Sequence, residues 1–350
     1  MKGIREIAIT DMPEVSIGNV QSDEAKTGVT VLLFDKKGAV VGVDISGGGP
    51  ASRETPLTSP VTADNPINAI VLSGGSAYGL AAADGVMRCL EDHGIGFETG
   101  YARVPLVCQS CIYDLGYGSA TVRPDSAMGY AACEKALAGG NPSCGSVGAG
   151  TGATVGKICG MERAMKSGLG MYAVELGELR MAAVVAVNAL GDIFDPATGK
   201  KIAGLRTADG TSFADSCEEL WKMGRRENLF TGNTTIGAVF TNGKFNKAQM
   251  NKIASMTRNA YARCINQPCR NHGRRRQYLR GIRRRCGSGS ECGGNPGGIC
   301  DGTGDCGSDP VIFHEAFFVS EGHRKPGAYR TNLYDQQRFG VSRCVMPGTE

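Results

Sequence analysis

The sequence predicts an α/β or α+β protein, and three observations carry that prediction. β-rich stretches alternate with helical ones over residues 1–265. The β-rich stretches are short, apolar and partly β-branched, as buried strands are. Glycine is abundant: 52 residues, about twice the usual share of ~7%, imply many tight turns and close backbone approaches. At 350 residues the chain can bury a large core in one or two domains.

In chain order, Thr30–Phe34 and Ala39–Ile45 read as strands, and Asp35-Lys-Lys-Gly38 between them predicts a hairpin. After an irregular Gly47-Gly-Gly-Pro50 loop, Arg53 and Glu54 offer a local ion pair, worth little if solvated. Ile67–Leu72 predicts a strand that runs into Ser73-Gly74-Gly75-Ser76, followed by helical spacing over Ala77–Leu90. A strand, a glycine turn and a helix start present free backbone N–H groups, a natural anion cradle. Neither glycine motif of nucleotide sites is present. Two readings of this turn stay open: close packing of helix on strand, or a pocket wall.

Residues 99–119 mix strand and loop, and Ser126–Ala138 predicts a helix ended by glycines. Gly145 to Gly156, with Gly148 and Gly150 inside it, interleaves glycine with Val, Ala and Thr. That mixture predicts a tight, buried backbone path, suited to a pocket wall or to oxyanion donors. Leu179–Val187 reads as a strand ending on Asn188. An asparagine there needs partners for its amide. A satisfied Asx turn and an NH₂ aimed at a developing oxyanion both remain open. Residues 200–230 read as an exposed linker with a helix around Asp215 to Met223. Ile236–Thr241 predicts a buried strand, Asn242-Gly243 a turn, and Asn246–Arg263 an amphipathic helix.

Composition narrows the function classes. No apolar run is long enough to span a bilayer, and Met1-Lys-Gly-Ile-Arg-Glu lacks the apolar core of a signal peptide, so we expect a cytoplasmic protein without membrane association. The net charge of +4 is unevenly placed, because Arg270 to Arg285 carries eight arginines and no acid. Of 14 cysteines, seven are spread through residues 1–217, as reduced, buried small residues are in a reducing compartment. Cys108-Gln-Ser-Cys111 is a lone CxxC pair, and no metal is expected there. His93 is the only histidine before residue 266 and no HExxH occurs, which argues against a Ser-His-Asp triad and against a metallopeptidase.

At about Ile265 the character changes. Over Asn266 to Pro310 Arg, Gly and Cys accumulate without apolar periodicity. Three readings stay open: a disordered basic segment, a metal- or nucleic-acid-binding extension, or a reading-frame shift near residue 266. The frame shift is preferred. Cys286, Cys292, Cys300 and Cys306 match no usual zinc spacing, and nucleic acid is not the expected partner.

The chemistry concentrates at Leu229-Phe-Thr-Gly-Asn-Thr-Thr-Ile-Gly-Ala-Val-Phe-Thr-Asn242. Thr231, Gly232 and Asn233 favour a loop, and Thr234 and Thr235 sit where it enters the strand. A threonine hydroxyl needs a base to become a nucleophile. Cutting the chain in front of the threonine supplies one, since a free α-amine titrates near ~8. An ordinary loop-to-strand junction fits the same residues.

Seven runs in order are similar to the DmpA-type aminopeptidases, peptidase family S58: Thr27-Gly-Val-Thr-Val-Leu-Leu-Phe34, Gly47-Gly-Gly-Pro-Ala-Ser-Arg-Glu-Thr55, Ile70-Val-Leu-Ser-Gly-Gly-Ser-Ala-Tyr-Gly-Leu80, Ala83-Asp-Gly-Val86, Gly145 to Lys157, Val185 to Asp192 and Asn233-Thr-Thr-Ile-Gly237. The resemblance covers residues 27–265. It implies a four-layer αββα sandwich and a precursor that cleaves itself between Asn233 and Thr234, giving an α chain 1–233 and a β chain from 234. Thr234 is then the nucleophile, with Thr235 as rival, and Asn188 the oxyanion residue. Ser73, Gly74, Gly75, Ser76, Gly148, Gly150 and Thr235 fall in segments expected to line the pocket or oxyanion hole. The implied substrates are short peptides, aminoacyl amides or esters with a free amino terminus, acted on by a homo-oligomer without cofactor. Ornithine acetyltransferases resemble the same family in fold and self-cleavage, so an acyl transferase stays open, as does an impaired, truncated member. The expected organisation is a peptidase domain over 1–265 and an atypical tail over 266–350.

Overall fold

The computed structural model describes residues 3–47, 49–223, 232–266 and 315–321. Two sheets stack face to face. The first has the order Arg5–Ile7, Leu169–Leu176, Leu179–Asn188, Thr234–Thr241, Glu315–Glu321, Ala39–Asp44. The second runs Val15–Ser22, Thr27–Phe34, Ala69–Ser73, Val107–Cys111, Ser52–Arg53. Helices α1 (Ala82–Asp92) and α2 (Ser126–Leu137) cover the outer face of the second sheet. The short α3 (Ser216–Lys222) lies beside Ile158 and Leu205, and α4 (Lys247–Cys264) covers the outer face of the first sheet. The layers are therefore α, β, β, α.

The Thr27–Phe34 strand shows why these residues choose this architecture. Successive side chains of a strand point to opposite faces. Leu32 and Phe34 meet Ile70, Leu72, Ala182, Val184, Ile236 and Phe240 between the sheets. Val29, Val31 and Leu33 pack outward against Val86, Leu90 and Ala132 of the helices. All eight positions are buried, so neither face of the strand meets water, and its two threonines, Thr27 and Thr30, are hydrogen-bonded to Asp114 and Asn19. Helix starts are set by polar caps: Asp125 accepts from Met128 N, Asp215 from Cys217 N and Glu218 N, and Asn246 from Gln249 N.

Four expectations are corrected. Asp35–Gly38 does turn, with Gly38 N donating to Asp35 O at 2.9 Å, but it is no hairpin. The strands it joins belong to different sheets, and Gly38 approaches Ile67 O too closely for a Cβ. Arg53 pairs with Asp84 of α1 rather than with Glu54, whose backbone is left-handed at φ 57°. Ser76–Ala81 forms a 3₁₀ turn ahead of α1, so the helix begins later than Ala77.

The described part of 200–230 is not a plain linker, because Lys201–Ala203, buried Leu205 and Ser216 are fastened to Asp192. Asp192 is fully buried and accepts from Leu205 N (2.8 Å), Ser216 N (2.9 Å), Ser216 Oγ (2.8 Å) and Lys201 Nζ (2.8 Å). Removing one partner of a buried charged network leaves the other uncompensated. Asp192→Ala should therefore lower unfolding stability by about 3 kcal/mol, read as a lower urea midpoint with unchanged slope.

One strand escaped the sequence reading. Glu315–Glu321 lies between Thr234–Thr241, parallel to it, and Ala39–Asp44, antiparallel, so part of the tail completes the first sheet. The Arg270–Arg285 run and Cys286 to Cys306 lie outside the described residues.

Candidate active site

Thr234 opens the Thr234–Thr241 strand and stands opposite Asn188, the last residue of its antiparallel neighbour. Even-numbered Ile236, Ala238 and Phe240 face the inter-sheet core, and strand alternation puts Thr234 on that same face. Across the gap, Tyr113 follows the Val107–Cys111 strand of the second sheet. Tyr113 N donates to Thr234 Oγ1 at 3.2 Å, and Asn188 Nδ2 donates to Tyr113 O at 2.8 Å. The backbone of one residue, just past a strand of the second sheet, thus links hydroxyl and amide of the first. Thr234 is 4% exposed and Asn188 fully buried.

A lysine orients the amide. Lys157 Nζ donates to Asn188 Oδ1 at 2.6 Å and to Asn188 O at 3.1 Å, and Thr154 N donates to Oδ1 at 3.1 Å. With these donors on the oxygen, the NH₂ end faces Tyr113 O. The amide is satisfied, but by distant side and main chain rather than by an Asx turn. Lys157 is only 5% exposed, so its charge acts with little screening.

The glycine turn is built around a carboxylate of the chain itself. Gly75, at φ +82°, donates from N to Asp114 Oδ1 at 2.7 Å, and Thr27 Oγ1 donates to Asp114 Oδ2 at 2.7 Å. A Cβ at Gly74 would fall 2.0 Å from Asp114 Oδ2, so only glycine admits the acid there. Burial raises the Asp114 pKa, while the Gly75 and Thr27 hydrogen bonds and the Lys157 charge oppose that rise. Gly74 N and Ser76 N donate to Gly28 O and Ile112 O, so the anion cradle is filled from within. Ser73 is buried, its Oγ accepting from Gln109 Nε2 at 3.0 Å.

Gly148 and Gly150 lie on the expected buried path, with their N–H groups donating to Gln21 Oε1 and Val147 O rather than to Thr234. Thr235 faces the opposite side of the strand, and its buried Oγ1 has no hydrogen-bond partner among the described residues. Asn233 and Gly232 are half-buried, and Gly232 sits so close to the Tyr113 ring that a Cβ would meet Cδ1 at 1.9 Å. The loop before Thr234 is thereby held against the same residue that touches its hydroxyl.

Lys166 lies on the glycine path, donating to Gly150 O (2.9 Å), Ala153 O (3.1 Å) and Ser167 O. Burial first, then the Lys26 charge, lowers its pKa to about 8, with Asp114 opposing. The unfolded chain then binds more protons than the folded one between pH about 8 and its ordinary 10.5. Stability should rise with pH across that window through this group. Lys166→Met should flatten the rise, read from denaturation midpoints at successive pH values.

Tyr113, Asp114, Thr154 and Lys157 were missed by the sequence reading. Lys157 had a signal, closing the glycine-rich Gly145–Lys157 run, but a buried lysine is rare and the pattern gives no partner. Tyr113 contributes through its backbone, for which its residue type gives no sign.

A family model described as peptidase family S58 matches residues 8–273. An uncharacterized aminopeptidase of Mycobacterium tuberculosis is 35% identical over 274 residues, covering 74% of this chain and 76% of the relative. A 6-aminohexanoate-oligomer endohydrolase of Kocuria sp. is 33% identical over 268 residues, covering 75% and 71%. Among solved structures, a Burkholderia sp. beta-aminopeptidase superposes with a TM-score of 0.56 at 15% identity, covering 97% of this chain and 85% of that one. The L-aminopeptidase D-Ala-esterase/amidase of Ochrobactrum anthropi, described as a variant of the Ntn hydrolase fold, gives 0.54 at 16% identity, covering 97% and 84%. At such identities the likeness is one of fold.

Proposed function

This chain belongs to peptidase family S58, and from that premise we propose a self-processing aminopeptidase or amidase with Thr234 as its nucleophile. The observation that carries the reading is the pairing of a buried Thr234 hydroxyl with Tyr113 N, opposite a lysine-held Asn188 amide. In the first step Thr234 Oγ1 attacks the Asn233 carbonyl carbon, the C–N bond breaks and an ester forms. That step frees the Thr234 α-amine, which takes up the hydroxyl proton, and water then hydrolyses the ester, leaving Asn233 with a carboxylate and restoring the Thr234 hydroxyl. That amine is the general base for later turnovers, taking the hydroxyl proton as substrate is attacked and giving it to the leaving amine. Asn188 Nδ2 and a backbone N–H, for which Tyr113 N is the candidate, stabilise the tetrahedral oxyanion. Lys157 keeps the amide from turning its oxygen toward that charge.

The substrates are short peptides, aminoacyl amides or esters with a free amino terminus, processed by a cytoplasmic homo-oligomer. A second reading rests on the relatives named 6-aminohexanoate-oligomer endohydrolase, 33–34% identical to this chain: hydrolysis of internal amide bonds in linear ω-amino acid oligomers. Acyl transfer to glutamate, as in ornithine acetyltransferases, would use the same acyl-enzyme with an amine in place of water. One set of assays separates them. Amine release from aminoacyl p-nitroanilides supports the first reading, oligomer cleavage without terminal release the second, and acetyl transfer the third. Release of none of these products by the cleaved protein would sink the proposal.

A further inference from the structure

In the outer helical layer, apart from the Thr234 constellation, α1 and α2 converge on three side chains of metal-ligating type. Cys89 and His93 stand four residues apart, at the spacing that shares one helix face, with His93 capping the end of α1. Glu134 reaches them from α2. Cys89 Sγ lies 3.5 Å from Glu134 Oε1, and His93 Nε2 lies 3.7 Å from the same oxygen. All three ligand atoms fall within 4.8 Å of one another. Around a tetrahedral zinc, bonds of about 2.3 Å to sulfur and about 2.0 Å to nitrogen or oxygen place ligand atoms roughly 3.3–3.6 Å apart. The two spacings to Glu134 are close to these, and the third lies within 4.8 Å.

A second observation concerns the imidazole. His93 Nδ1 is 2.9 Å from Cys89 O. Donation to that carbonyl leaves the Nε2 lone pair free on the side of Glu134, and metal-bound histidines use a backbone carbonyl in this way to fix the tautomer. The carbonyl comes from a ligand residue, so one turn of helix supplies two ligands and the orienting acceptor. Thiol, imidazole and carboxylate together suit a borderline-soft divalent ion.

We infer that Cys89, His93 and Glu134 form a binding site for a zinc-like divalent cation that fastens α1 to α2. The His93 and Glu134 side chains are 41% and 44% exposed, so the fourth position faces solvent and takes a water. Binding exchanges the Cys89 S–H for a sulfur–metal bond and releases that proton to solvent, with no change of oxidation state. Burial and the neighbouring Cys133 and Glu134 keep the metal-free thiol protonated, so uptake is coupled to that release.

The test uses the full-length protein, stripped with chelator, equilibrated with Zn²⁺ alone and desalted. One zinc per chain is expected, and His93→Gln should weaken retention at least about tenfold, the loss that removing even an outer-shell partner brings. His93 is exposed, so this variant should keep its circular dichroism. Co²⁺ substitution should give thiolate-to-cobalt charge-transfer absorption that Cys89→Ser abolishes. Three results would overturn the inference: no retained metal, retention unchanged in both His93→Gln and Cys89→Ser, or thiol titration showing Cys89 joined to Cys133.

Discussion

Thr234→Ala should run as a single full-length band on a denaturing gel and lose amide hydrolysis by at least about a thousandfold. The size follows from what the residue supplies. Removing a covalent nucleophile leaves only binding and oxyanion stabilisation, and nucleophile knockouts elsewhere cost up to about a millionfold. Here the same change also blocks the cut that creates the base, so two losses coincide. Thr234→Ser keeps a hydroxyl at that position, and should cleave and regain part of the activity. Thr235→Ala should leave cleavage in place, because Thr235 faces away from Asn188 and Tyr113. Cleavage in Thr234→Ala, or its loss only in Thr235→Ala, would transfer the role to the neighbour.

Asn188→Ala should lower kcat about 10²- to 10³-fold with little change in KM, the cost of one lost oxyanion donor. It should also destabilise the protein, because Lys157 Nζ and Thr154 N lose a shared buried acceptor. Lys157→Met gives the complementary case: the amide survives but its orientation is no longer fixed. If Lys157 acts through Asn188, the double variant should be little worse than Asn188→Ala alone, and a double-mutant cycle in kcat measures that coupling. Fully additive losses would mean that the two residues act separately.

The fold was legible where local pattern decides it. Strand and helix positions from Ile67 to Ser76, Ser126 to Ala138 and Asn246 to Arg263 needed only apolar spacing and caps. Pairing was not legible. Asp35–Gly38 has hairpin chemistry, but the chain uses it to pass from one sheet to the other, a choice made by burial against Ile67 and by strands distant in sequence. Glu315–Glu321 was lost among residues without periodicity, since its place depends on pairing with Ile236–Thr241 and Ala39–Asp44. At the site, Thr234 and Asn188 could be chosen from their motifs, and the structure brings them face to face. Their partners could not be chosen. Tyr113 contributes a peptide group, Asp114 fills a turn from 39 residues away in sequence, and Lys157 reaches an amide 31 residues away.

The role of Thr234 in turnover rests on a freed amine beside its hydroxyl. Intact mass spectrometry of the purified protein reads that state directly. Two chains are expected, together one water heavier than the precursor, the second beginning at Thr234. A single chain of full mass, or a second chain beginning elsewhere, would contradict the account.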